Sequence, residues 1–221
     1  MAFKGGSREN KIYAIIAIFI IVVIISTVFF SNYRLTEAYI NDDILGNGWS
    51  EDIGERNSDS QLFGLEKWVS YTYRNNDSNY PAYITVTSIK TLFMMNEKEL
   101  RDQTFETIKK ASERGITIDE NTEITGERTL DNRHTSMYII YEGNDTSKEP
   151  YERIKIIGET WNCGTYGTSI ICIGVAWITD NAHNNSEIDT TYWGKIIRDR
   201  DGTFGENLTG NDGLIFNVKC H

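Results

Sequence analysis

Proline is scarce in this 221-residue chain, confined to Pro81 and Pro150. No low-complexity tract or fixed-period repeat is present either, which excludes a proline-rich stalk, a solenoid and a disordered tail. Basic residues are outnumbered, 22 Lys and Arg against 32 Asp and Glu, giving a formal net charge of −10. A surface of that sign repels phosphate backbones and anionic headgroups, so no nucleic-acid partner is expected. The only histidines are His134, His183 and His221. None has the H-E-x-x-H spacing of a zinc protease, and no serine sits in a G-x-S-x-G elbow. The motifs therefore point to no catalytic residue, no metal and no cofactor.

What the chain does have is one long apolar run. Residues 12–30, IYAIIAIFIIVVIISTVFF, carry no charge and no helix breaker, and at about 1.5 Å per residue they are long enough to cross a hydrocarbon core as one helix. Lys4, Arg8 and Lys11 precede the run against a single Glu9, whereas Glu37, Asp42 and Asp43 follow it. The positive-inside rule then gives a cytoplasmic N-terminus (1–11), a transmembrane signal anchor (12–32), a linker (33–48) and an extracytoplasmic domain (49–221). The expected localisation is a single-pass protein of the cell membrane, with the lipid bilayer as a partner through residues 12–30. A cleaved signal peptide and a pilin-type leader share these residues. The missing small-residue cleavage site opposes the first, and the polar SREN and Lys11 before the helix oppose the second.

Beyond the apolar run, the pattern is of hairpins. KWVSYTYR and AYITVTSI, with NNDSNYP between them, read as two strands and a turn. NEKELRDQTFETIKKASERG, residues 96–115, predicts a helix: Asn96 and Glu99 form a capping box, Leu100, Thr104, Ile108 and Ala111 share one face, and Gly115 ends it. TEITGERTL and HTSMYIIYE form a second hairpin about DNR, and YERIKIIGETWNC and SIICIGVAWIT a third. EIDTTYWGKIIRD predicts a closing helix with Tyr192 and Ile196 facing inward. The order β-β-α-β-β-β-β-α, with strands in hairpins rather than alternating with helices, implies an α+β domain with an antiparallel sheet flanked by helices.

The third hairpin carries two of the three cysteines. With Gly167 and Thr168 as a two-residue type II′ turn, Cys163 falls opposite Cys172, Trp161 opposite Gly174, and Trp177 opposite Gly158. The cysteines then form a non-hydrogen-bonded pair with Cα atoms about 4.5 Å apart, at the short end of disulfide geometry. In an oxidising compartment the expectation is a Cys163–Cys172 disulfide, with buried thiols as the alternative and a metal site disfavoured by the spacing. Cys220 is left over, free, tethered back to the sheet or used between molecules.

In DRDGTFGENLTGNDG, Asp199, Asp201 and Glu206 suggest a calcium loop, but Ile197 and Leu208 occupy the first and last ligand positions of an EF-hand alignment. Sequons at Asn76, Asn144, Asn184 and Asn207 permit glycosylation without requiring it.

GNGWSED, PAYITVTSIK and the stretch from NEKEL to YIIYEG together resemble the PsbP/Mog1-like family. They supply an early Gly-Trp, an extended strand, a polar-to-amphipathic helix, and a strand with a glycine before a hairpin into a strand ending in Tyr. The resemblance covers roughly residues 45 to 200. It implies a central antiparallel sheet flanked by helices, and an accessory or binding role without catalysis, with another envelope protein as partner. A membrane-tethered hydrolase and a pilin-like structural subunit are the alternatives. The loops DNR, GNDTSKEP and DNAHNNSE are the candidate contact surfaces.

Overall fold

A computed structural model of the protein describes residues 35–221, except 47, 62–65, 76–80, 92, 111–114, 148, 150, 165–166, 179–190 and 221. Eight strands make one antiparallel sheet: β1 (Trp49–Glu51), β2 (Asn57–Gln61), β3 (Glu66–Asn75), β4 (Ala82–Lys90), β5 (Ile116–Thr129), β6 (Thr135–Asp145), β7 (Glu152–Cys163) and β8 (Thr168–Ile178). Their order across the sheet is β1-β3-β4-β8-β7-β6-β5, with β2 also pairing β3. The short β1 and β2 share the outer edge of β3, taking residues 73–75 and 66–70 respectively. Among the described residues three helices accompany the sheet: α1 (Asp42–Leu45), α2 (Glu97–Lys110) and α3 (Thr191–Ile197). The chain is thus a mixed α+β protein with helices on both faces of its sheet.

Alternation along β7 and β8 sends neighbouring side chains to opposite faces. Ile154, Ile156 and Val175 go to one face, where Ile108 of α2 meets them. Ile157, Trp161, Ile170 and Ala176 go to the other, where Trp193, Ile196 and Ile197 of α3 and the closing segment Leu214–Val218 pack. Covered on both faces, the two central strands read as nearly unbroken burial rather than as alternating strands, which is why they are so rich in isoleucine and valine. Two glycines seat the helices. A Cβ on Gly158 would stand 2.3 Å from Thr104 Cγ2 of α2, and one on Gly174 would stand 2.6 Å from Ile196 Cγ2 of α3.

The capping box forms as its spacing predicts. Glu99 N donates to Asn96 Oδ1 at 3.0 Å, and Asn96 N donates to Glu99 Oε2 at 2.9 Å. Leu100, Thr104 and Ile108 are the buried face of α2, while Ala111 lies outside the described residues.

Three expectations change. The membrane placement is corrected first. Among the described residues no helix is long and apolar enough to cross a membrane. The longest, α2 with 14 residues, would span only about 21 Å and is polar on one face. The run 12–32 on which the signal anchor and the cytoplasmic N-terminus rested lies outside the described residues, and the single-pass, extracytoplasmic assignment is not retained.

Second, much of the expected linker belongs to the core. Ala38, Ile40 and Leu45 are buried in it, and Tyr39 and Lys219 exchange backbone hydrogen bonds at 2.9 and 2.8 Å.

Third, the disulfide is corrected. The β7–β8 turn is a four-residue loop, 164–167, closed by Gly167 N donating to Cys163 O at 3.0 Å, with Gly167 at φ +60°. Cys163 therefore faces Thr168 and Cys172 faces Glu159. The offset of four residues amounts to about 13 Å of strand, beyond the reach of a disulfide, and none of the three cysteines is disulfide-bonded. Because the slip is even, every side chain keeps its expected face although every pairing changes.

Candidate functional site

Helix α2 makes its main sheet contacts on β7 and β8, to one side of β4. Strand β4 records the consequence. Ala82, Ile84, Val86 and Ser88, facing α3 and the closing segment, are buried, whereas Tyr83, Thr85, Thr87 and Ile89, on the α2 side, are half-exposed. A groove of about 340 Å³ runs between this row and Gln103, Thr107, Ile108 and Lys110 of α2, floored by Ile156, Ile171, Ile173 and Val175. Hydroxyls continue the surface outward: Ser70 and Thr87 pair at 3.0 Å, and Thr72 and Thr85 at 3.4 Å. Tyr83 packs on Trp177 with ring centroids 6.0 Å apart, and Trp177 Nε1 donates to Asp145 Oδ2 at 3.0 Å. A smaller cavity of about 170 Å³ lies along the opposite flank of α2, lined in part by Arg101, Thr104, Gly126, Met137 and Thr160.

The opposite face holds a buried charge network. Arg128 of β5 donates to both oxygens of Glu159 on β7, Nε to Oε1 at 2.8 Å and Nη2 to Oε2 at 2.6 Å. Its Nη1 donates to the carbonyl of Ile197 and, at 3.2 Å, to Asp199 Oδ2. Ser136 Oγ donates to Glu159, and the Phe204 ring stacks 4.8 Å from the guanidinium. Burial opposes the charge on Arg128, but the attraction of Glu159 and Asp199 outweighs it and raises its pKa. Burial opposes ionisation of Asp199 too, yet the amide and hydroxyl of Thr203 and the Arg128 charge hold its carboxyl below the usual range. Every member has a hydrogen-bonding partner of its own, which is how a core tolerates such charges. The network ties β5, β6 and β7 to the segment after α3.

Beside it, His134, Cys163 and Cys220 converge, with their donor atoms all within 4.8 Å of one another. They come from the β5–β6 turn, the end of β7 and the C-terminal segment. Cys163 Sγ donates to the Cys220 carbonyl at 3.5 Å. Burial, followed by the neighbouring Cys163, pushes the Cys220 thiol up to about 12. Burial together with Glu159 pushes the Cys172 thiol well above its ordinary value.

Of the residues singled out from sequence, Cys163 joins this cluster and Cys172 does not. The suggested calcium set does not gather, because Asp199 turns inward to Arg128 while Asp201 and Glu206 stay exposed. Asn144 is exposed on β6, between β5 and β7, and Asn207 is exposed on a 3-10 turn, Glu206–Leu208. Asn76 and Asn184 lie outside the described residues, as do His183 and His221 and the loop DNAHNNSE. The DNR turn is clamped to the chain end: Asp131 N donates to Phe216 O at 3.1 Å, and Asn132 Nδ2 donates to Val218 O at 3.0 Å.

Sequence reading missed the Arg128–Glu159 pair. A signal was present, since alternation puts Glu159 on the same face as Trp161 and Cys163, where a carboxylate needs a buried partner.

Comparison with protein families, with curated proteins and with solved structures finds no match to this chain.

Proposed function

We propose that this chain is a non-catalytic accessory protein that binds another protein, through the groove beside α2. The observation that carries the reading is the half-exposed row Tyr83, Thr85, Thr87 and Ile89. One helix covers the centre of the sheet face, and the strip over β4 presents apolar area and hydroxyls in alternation with a core-facing row. A sheet face is ordinarily closed by a second layer. An amphipathic segment of a partner lying beside α2 would complete that layer, its apolar side on Ile89, Ile171 and Ile173 and its polar edge on the threonine hydroxyls. We extend the proposal to membership of the PsbP/Mog1-like group. It rests on the sequence pattern described above, and a sheet flanked by helices agrees with the architecture that group implies.

A photo-crosslinking residue placed at Thr85 or Thr87 of the full chain, expressed in its own host, tests the reading. The expected result is one polypeptide captured in stoichiometric amount from both positions. The capture should be lost when Thr107 across the groove is replaced by Arg, and should be absent from a probe at the exposed Thr117 on β5. Capture of nothing, or of the same proteins from every position, would overturn it.

A further inference from the structure

We infer that His134, Cys163 and Cys220 form a binding site for a single thiophilic divalent ion of the zinc(II) class. Two thiolates and an imidazole make a soft donor set, suited to zinc-type ions rather than to calcium or magnesium, which take oxygen ligands. The charge closes as well: two thiolates neutralise a divalent cation, so the loaded site adds no net charge to a core in which Cys163 and Cys220 are 0% and 1% exposed. His134 is half-buried, with its Nε2 turned out of contact with solvent. Around a tetrahedral zinc, with bonds of about 2.0–2.3 Å, donor atoms stand roughly 3.5–3.8 Å apart. The present separations, within 4.8 Å, need to close by at most about 1.3 Å to reach this geometry. Three protein donors leave the fourth position to solvent or an added donor, a pattern known for zinc.

The surroundings hold the donors in place from both sides. Asn132 Oδ1 accepts from His134 N at 3.0 Å, while its Nδ2 donates to Val218 O at 3.0 Å and lies 3.9 Å from Cys220 Sγ. One side chain thus fixes the turn that carries the imidazole against the segment that carries a thiol, the usual role of an outer partner in a metal site. Arg133 beside it adopts the left-handed region, φ +66°. That conformation is uncommon for a residue with a side chain, and here it is held by Arg133 N donating to Leu130 O at 2.9 Å and Leu130 N donating to His134 O at 3.0 Å. Asp131 adds ion pairs to Lys219 at 3.2 Å and Arg200 at 3.1 Å. Cys172, whose thiol faces Glu159, lies outside the set. The site stands on observations separate from the groove, and either can fail without the other.

Cobalt(II) is the spectroscopic probe. The untagged full-length chain, reduced and stripped of metal, is expected to take up one equivalent, with thiolate-to-cobalt charge-transfer absorption and tetrahedral ligand-field bands that zinc(II) bleaches. Cys163→Ser and Cys220→Ser should each abolish the charge-transfer band, whereas Cys172→Ser keeps it. His134→Gln should weaken uptake by about tenfold or more, and Asn132→Ala by about 10- to 100-fold. A wild-type chain without these bands would overturn the site. So would bands that persist in both Cys163→Ser and Cys220→Ser, or isolation of the chain from its host with Cys163 and Cys220 joined in a disulfide.

Discussion

Arg128 grips Glu159 through two parallel hydrogen bonds, at 2.8 and 2.6 Å, with both side chains sealed in the core at 2% and 0% exposure. Such a pair adds little net stability over an apolar replacement of the same shape, yet removing one partner strands a buried charge. Arg128→Met is therefore expected to destabilise the protein by about 3–5 kcal/mol in urea unfolding. Combining it with Glu159→Gln and Asp199→Asn should recover a good part of that loss. A single substitution costing under about 1 kcal/mol would mean that water reaches the network.

Asp199 gives this network a pH signature. Its folded pKa lies below the ordinary 3.8, so the carboxylate contributes stability that is fully present above that value. The contribution is lost as pH falls through the lower, folded value. Asp199→Asn should flatten the stability profile below about pH 4, where the folded carboxylate stays ionised while the unfolded one takes up its proton, and leave its slope near neutrality unchanged. Urea midpoints measured across that window, wild type against variant, decide the point. Parallel profiles would remove Asp199 from the account.

Gly158 sets how closely α2 lies on the sheet. With Thr104 Cγ2 only 2.3 Å from where a Cβ would stand, and Ile108 Cδ1 2.9 Å away, Gly158→Ala should lift the helix and cost about 1–3 kcal/mol, as overpacking does. Thr104→Ser removes the offending methyl and keeps the hydroxyl that donates to Leu100 O at 2.8 Å. The double variant should therefore be more stable than Gly158→Ala alone by thermal melting. Additive losses would show that the contact is not shared.

The hairpin register makes a chemical statement about the thiols. Peptide mapping without reduction should find Cys163 and Cys172 on separate, unlinked peptides. Cys172, buried and opposite Glu159, should react with alkylating agents only on unfolding, because a thiol held protonated is a poor nucleophile. A crosslinked Cys163–Cys172 peptide would contradict the register.

Local chemistry made most of the elements legible. The Asn96–Glu99 capping box, the turn residues at DNR and the β-branched runs of β3 to β8 are short-range signals, readable because capping, turn and strand preferences act over a few residues. The parity of β7 and β8 was legible for the same reason, so Trp161, Cys163 and Cys172 were correctly assigned to one face. The pairing was not, because Gly164 and Gly167 allow either a two- or a four-residue loop, and only packing chooses between them.

By itself, then, the sequence determined the α+β class, the hairpins, the amphipathic face of α2 and the acid balance of the surface. Tertiary structure decided which residues meet. It paired Arg128 with Glu159 across 31 positions and brought His134 and Cys163 to Cys220 from three separate segments. It also drew Asp199 away from its acidic loop into the core and left β4 half covered beside α2. Each of these depends on contacts between chain segments far apart in sequence, and no local preference records where such segments come to lie.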